Sequence, residues 1–110
     1  MQINWSDFEK IEIRVGTILE VNDFVQAKKP AYQLKIDFGP LGIKQSSAQL
    51  TGLYSKELLK GKQVVAIINF PPKQIANFFS ECLVLGVDNE QNDVVILQPE
   101  RMVNNGDKIG

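Results

Sequence analysis

An all-β closed barrel carrying one short helix is the fold this sequence predicts, and three features predict it. Strand-period alternation recurs along most of the chain and is broken at short intervals by turn residues. One stretch alone beyond the N-terminus, 51–60 (TGLYSKELLK), reads as helix, and it follows the third strand. Two strongly apolar segments, 63–70 and 82–87, flank a loop too long and too aromatic for an ordinary hairpin. A chain of 110 residues with 44% hydrophobic and 23% charged residues is expected to form one globular domain, residues 1–110.

Taken in order, Ser6-Asp7-Phe8-Glu9 has the form of a capping box, with Ser6 as N-cap and Glu9 reaching back. Strand periodicity resumes at once, so a single helical turn is expected, with Trp5 and Phe8 either lying over the core or forming a subunit contact. The first long strand is expected at 12–21, where Gly16 coincides with a change of apolar parity and predicts a bulge or bend. A small barrel needs such a bend, because its first strand serves both halves of the wall. After a loop containing Lys28-Lys29-Pro30, the next strand turns Tyr32, Leu34, Ile36 and Phe38 inward. The turn at 39–42 leads into a polar strand at 43–50 (IKQSSAQL), expected at an edge or facing a polar ligand. The helix at 51–60 closes on Gly61 as its C′ residue. Strands at 63–70 and 82–87 follow, then a hairpin turn at 88–93, a returning strand at 94–97, and a tail turned by Asn104-Asn105-Gly106. Three strands, a short helix and two further strands is the order of an OB-fold, a five-stranded Greek-key barrel. Here it gains extra C-terminal strands and a short N-terminal helical turn; another small barrel with a helix plug is the alternative.

Composition removes most chemistry. There is no histidine, so an imidazole-dependent nucleophile system is excluded, and with one cysteine no zinc or transition-metal ligand set is expected. Ser46-Ser47 has no activating base in view, and no glycine-rich phosphate loop runs from strand to helix. The expectation is a protein that is not an enzyme and needs no cofactor. The lone Cys82 precludes an internal disulfide and fits a reducing compartment. With no signal peptide or membrane span visible, the expected location is the cytoplasm.

Binding chemistry remains. The net charge of −1 conceals a balance of +6 between residues 28 and 73 and −7 over the rest. Such a chain either presents a face for an anionic ligand or spreads its lysines round the wall as solvated charge. An OB barrel holds oligonucleotides on the outer face of its second and third strands and the flanking loops. Lys35 and Lys44 are expected on that face, framed by Lys28, Lys29 and Lys73. Phe79 is the foremost candidate for stacking on a base, with Phe78 and Tyr32 behind it. Adjacent residues of an extended chain point oppositely, so one of Phe78 and Phe79 is expected inside and one outside.

The runs IEIRVGTI (11–18), LKIDFG (34–39), KQSSAQL (44–50) and VVAIINFPPKQIANFFSECLVLG (64–86), with LQPE and the terminal NNGDKIG, resemble the tRNA-binding-domain family. The resemblance runs in order over almost the whole chain. It implies an OB-fold, a homodimer, and kinship with the tRNA-binding appendage of methionyl-tRNA synthetases. The implied partner is tRNA or another structured RNA, met through Lys35, Lys44, Lys73 and the Ser80-Glu81-Cys82 segment. Cys82 departs from the methionine that many relatives carry there. The family also contains small bacterial secretion chaperones, which implies an apolar groove for unfolded or precursor polypeptide, with Trp5, Phe8, Phe70 and Phe78 as candidates for that groove or for the dimer contact.

Overall fold

A computed structural model describes residues Met1–Gly110. Its centre is a five-stranded antiparallel sheet in the order β3-β2-β1-β4-β7, rolled into a nearly closed barrel. The strands are β1 (Ile13–Asp23), β2 (Tyr32–Asp37), β3 (Ile43–Ala48), β4 (Gln63–Ile67) and β7 (Leu83–Val84). Two hairpins are added to it: β5 (Lys73–Ile75) with β6 (Phe78–Ser80), and β8 (Gly86–Asp88) with β9 (Val94–Ile96). Two short helices complete the set, α1 (Trp5–Glu9) and α2 (Lys56–Leu59), and neither is long and apolar enough to cross a membrane. This is the OB-fold order with its helix after the third strand.

The length of β1 makes the barrel possible. Residues 13–17 pair with β4, and residues 17–23 pair with β2, so one strand joins the two halves of the wall. The register slips between Ile18 and Glu20, leaving Leu19 as the bulged residue. The bulge therefore lies three residues beyond Gly16, where it was expected. Gly16 serves a different need: a Cβ there would sit 2.6 Å from Ile36 and 2.7 Å from Phe38, inside the packed core.

β2 supplies that core as its alternation predicts, with Leu34, Ile36 and Phe38 completely buried and Tyr32 nearly so. Ile18, Leu50, Leu59, Val64 and Ala66 close around them. Across from β2, Ser46 and Ala48 of β3 also turn inward.

Several boundaries moved for identifiable reasons. The capping box is formed by Asn4 and Asp7, not Ser6 and Glu9: the Asn4 N–H donates to Asp7 Oδ2 at 2.9 Å. No residue of α1 is buried, so Trp5 and Phe8 do not cover the core. The second helix is only Lys56–Leu59, started by Ser55, whose Oγ accepts the Leu58 N–H at 3.2 Å. Tertiary hydrogen bonds hold the preceding residues as a turn. The Tyr32 hydroxyl donates to the Tyr54 carbonyl at 2.8 Å, and the Tyr54 hydroxyl accepts the Ile96 N–H at 3.1 Å. Gly61 does end this helix, with φ +88. The expected strand at 82–87 divides at Leu85, one part pairing with β4 and the other with β9.

The C-terminal tail is tied to the barrel by polar groups. Gln63, 4% exposed, donates from Nε2 to the Val103 carbonyl at 2.7 Å and accepts the Val103 N–H at 3.1 Å. Asn105 Oδ1 accepts from Thr17 Oγ1 at 2.7 Å and from Gln63 Nε2 at 3.2 Å. Backbone bonds from Gly106 to Val15 and from Ile109 to Ile13 then carry the tail along the side of β1 that β2 leaves unpaired.

Because Gly16 abuts two fully buried side chains, Gly16→Ala should overpack the core and cost about 1–3 kcal/mol. Urea unfolding of the variant measures this; an unchanged midpoint would show that the β1–β2 contact yields freely.

Candidate nucleic-acid interface

The register of β3 on β2 decides which lysines share a face. Lys35 lies opposite Gln45, and on its other side opposite Glu20 of β1, where Lys35 Nζ meets Glu20 Oε2 at 3.5 Å. Lys44 lies opposite Ile36, a core residue, and so falls on the inward row with Ser46. The expectation that Lys35 and Lys44 lie on one outer face is therefore corrected. Side chains alternate with period two, and the pairing puts an odd residue of β2 against an odd residue of β3.

The polarity of β3 also has a structural cause. β3 ends the sheet order, and its outer edge closes the barrel against the segment after β6. Gln45 accepts the Glu81 N–H at 2.8 Å, and the Gln45 N–H donates to Glu81 Oε1 at 2.9 Å. Ser46 Oγ donates to the Cys82 carbonyl at 2.8 Å, and the Ser47 N–H donates to Ser80 Oγ at 3.1 Å. Gln45 Nε2 adds a bond to the Phe79 carbonyl at 2.8 Å. Ser80, expected among the RNA-facing residues, has its hydroxyl engaged in this seam.

Above the seam stands the β5–β6 hairpin, which occupies most of the predicted ligand loop. Its two-residue turn places Ala76 at φ +55, and Phe78 folds back onto Phe24 of the β1–β2 loop with ring centroids 5.3 Å apart. Phe79 is the outward member of the pair, 49% exposed. Tyr32 is buried and hydrogen-bonded, so it is not a stacking surface.

The aromatic contact holds the hairpin beside the β1–β2 loop, and a cleft of about 650 Å³ opens between them. Lys28 and Lys29 line it from the β1–β2 loop and Lys73 and Gln74 from the hairpin, with Ser47 of β3 and Gln49 just past that strand completing the lining. Three of the predicted basic residues are thus brought together from positions 44 apart in sequence. Lys35 and Lys44 stand outside this cleft. The contributions of Phe24, Ser47, Gln49 and Gln74 were not foreseen; the polar run KQSSAQ was the only trace of two of them in the sequence.

Two apolar recesses accompany it. One, of about 360 Å³, is lined by Phe70, Pro71, Leu83 and Cys82 together with Lys73 and Ser80. The other, of about 440 Å³, lies between Ile3, Trp5, Phe8 and Gly110. Trp5 is 77% exposed and meets Phe8 edge to face at 6.0 Å. The aromatic candidates Trp5, Phe8, Phe70 and Phe78 therefore belong to different surfaces and do not line one groove.

Cys82 sits at the back of the seam, buried and free. Burial pushes its thiol from 9.0 up to about 11, and the Ser46 hydroxyl opposes this in part. Below pH 9 the thiol is protonated in folded and unfolded chains alike. Between pH 9 and about 11 only the unfolded chain releases the proton, so stability falls as pH rises through that window. The loss attributable to Cys82 should be on the order of 2–3 kcal/mol. Unfolding free energies of parent and Cys82→Ala at both ends of the window measure it: the parent should lose more than the variant, and equal losses would refute the assignment.

The family described as "Putative tRNA binding domain" matches residues 13–108 of this chain. Methionine–tRNA ligases of Thermococcus onnurineus and Nanoarchaeum equitans are 36% and 37% identical to it, each over 97% of the chain. The chain spans only 14% and 13% of those two ligases. Among solved structures, the chaperone CsaA of Bacillus anthracis superposes with a TM-score of 0.94 at 50% identity, over all of both chains. The CsaA chaperone protein of Picrophilus torridus gives 0.93 at 54% identity, over 99% of this chain and 100% of that one. By sequence and by barrel architecture, this chain belongs to the tRNA-binding-domain family.

Proposed function

We propose that residues 1–110 act as a non-catalytic, cytoplasmic tRNA-binding module of the CsaA type, which holds tRNA in the basic cleft as a homodimer. The observation that carries this reading is the convergence of Lys28, Lys29 and Lys73 on one cleft in a chain whose net charge is −1. None of these three ammonium groups has a carboxylate within salt-bridge distance, whereas Lys35 is partly neutralised by Glu20. Uncompensated lysines around a cleft attract phosphates and release counterions on binding. Phe79 beside them offers a planar surface for an accessible base. The identity to the tRNA ligases supports the choice of tRNA.

The exposed apolar surface at the N-terminal end supports the dimer. Ile3 and Trp5 are 67% and 77% exposed, and with Phe8 they line a recess reaching the C-terminal Gly110. A second copy seated there would remove this surface from water.

A tRNA titration across a salt series tests the RNA reading. Three phosphate contacts give a slope of about −2 to −3 in log K against log salt, and Lys73→Glu should reduce its magnitude by about 1. A slope near zero would remove the proposal. Sedimentation of the free protein at micromolar concentration tests the dimer, and a monomeric mass would refute it.

A second reading, binding of unfolded polypeptide, is favoured by one observation. Phe70 and Leu83, 53% and 48% exposed, line a recess whose other lining residues are Pro71, Cys82, Ser80 and a single cation, Lys73. The likeness to the CsaA chaperone structures supports it. The protein should suppress aggregation of a chemically unfolded client, and Phe70→Asp should abolish that effect while leaving tRNA affinity within about twofold, a change below 0.5 kcal/mol. Equal suppression by parent and variant would place the polypeptide elsewhere.

A further inference from the structure

The tail turn Asn104-Asn105-Gly106 holds the chain's one Asn-Gly step, and it lies outside the basic cleft. Asn-Gly is the pair most prone to spontaneous deamidation, because the missing glycine side chain leaves the backbone nitrogen free to reach the asparagine amide. The fold nonetheless requires both residues. Asn105 Oδ1 is the acceptor shared by Thr17 Oγ1 at 2.7 Å and Gln63 Nε2 at 3.2 Å. Gly106 has φ +93, and a Cβ on it would stand 2.6 Å from the Phe38 carbonyl oxygen and 3.3 Å from Pro40 Cδ. The tail is thus anchored through a chemically labile pair.

The chemistry needs one atom that the fold holds. The Gly106 nitrogen must lose its proton and attack Asn105 Cγ. The new N–Cγ bond closes a cyclic succinimide, the Cγ–Nδ2 bond breaks, and the departing nitrogen takes up a proton and leaves as ammonia. Water then opens the ring at either carbonyl, giving aspartate or isoaspartate. In the folded chain the Gly106 N–H donates to the Val15 carbonyl at 2.7 Å, so its proton faces a non-basic oxygen. The Gly106 carbonyl accepts from Arg14 Nη1 at 3.0 Å, and the Val15 N–H donates to the Asp107 carbonyl at 3.0 Å, which fixes the adjoining peptide units. Thr17 and Gln63 polarise the Asn105 amide as donors to an oxyanion would, but they also hold the side chain in one orientation. Withholding the nucleophile outweighs polarising its target, since no bond forms without the nitrogen.

We infer that Asn105-Gly106 is a deamidation site held closed by docking of the tail on β1, and that modification there releases the tail for good. The two products differ in fit. Aspartate keeps an acceptor for Thr17 and Gln63. Isoaspartate adds a methylene to the backbone between residues 105 and 106, where no space exists. A Cβ on Gly39 would collide with the Asn105 carbonyl, and one on Gly106 with the Phe38 carbonyl. The lengthened tail cannot restore both the Gly106–Val15 and the Ile109–Ile13 backbone bonds. Because Gly110 lines the apolar recess with Ile3, Trp5 and Phe8, a released tail also strips one side from that surface.

Incubation of the full chain at mildly alkaline pH, folded and in guanidinium chloride, with peptide mass mapping of residue 105, tests this. Conversion should be at least about tenfold slower in the folded chain, because it proceeds only from locally opened molecules. Thr17→Val removes one anchor and should raise the folded-state rate about 3- to 10-fold, with hydrogen exchange of the Gly106 N–H rising in step. If that variant fails to fold, the parent comparison decides by itself. The isoaspartyl form, isolated by ion exchange and identified by enzymatic methylation, should unfold at lower denaturant than the parent. Equal rates in folded and unfolded chains would overturn the closed site. A folded chain that reacts faster would overturn it too, by showing that polarisation by Thr17 and Gln63 wins. An isoaspartyl form as stable as the parent would overturn the release of the tail.

Discussion

Side chains do much of the work of closing this barrel. Between β3 and the segment following β6, the Gln45–Glu81 pair supplies one reciprocal set of bonds, and the hydroxyls of Ser46 and Ser80 reach the Cys82 carbonyl and the Ser47 N–H. An open edge on β3 would expose unpaired backbone groups and a route to edge-to-edge association. Bonding through hydroxyls and a carboxylate lets the two segments meet without the strict register of a long ladder. Much else follows from that closure. It buries Cys82, carries the polarity of β3, and suspends the β5–β6 hairpin over the end of the strand.

The hairpin is where the fold becomes a site. Phe78 turns inward onto Phe24, and the same alternation turns Phe79 outward. The inward ring joins two loops distant in sequence, and the cleft between them collects Lys28, Lys29 and Lys73. Lys73 also lines the recess formed by Phe70 and Leu83, so the two candidate ligand surfaces share that residue. A near-neutral chain thereby concentrates positive charge locally without the self-repulsion of a highly basic surface.

The opposite half of the barrel shows the same use of polar groups as fasteners. Gln63 is almost fully buried, and its amide bonds reciprocally to Val103, while Thr17 and Gln63 both donate to Asn105. A buried amide left unpaired would cost about 1–3 kcal/mol, so the tail and β4 hold each other in place. The tail in turn occupies the side of β1 that β2 does not cover, which limits the exposed sheet edge near the N-terminal helix.

Legibility in the sequence followed the range of the physics involved. Alternation in 32–38, the glycine after the second helix, and the hairpin at 88–93 are local, and the residues alone determined them. So did the absence of imidazole chemistry and the presence of a basic middle. The motif runs carried the family and with it the barrel. Other features required the assembled chain. Lys44 and Lys35 part company because of a register set by two strands together. Gly16 reads as a bulge in one dimension but is a contact with Ile36 and Phe38 in three. Ser80 and Gln45 look like ligand-binding polarity until the seam shows what they bond to. The cleft itself depends on a ring contact between residues 24 and 78, and no periodicity encodes the meeting of two loops. Sequence determined the strands and their inward faces, because those rest on each residue's own backbone geometry and hydrophobicity; tertiary structure alone decided which charges converge, because convergence depends on how distant segments pack.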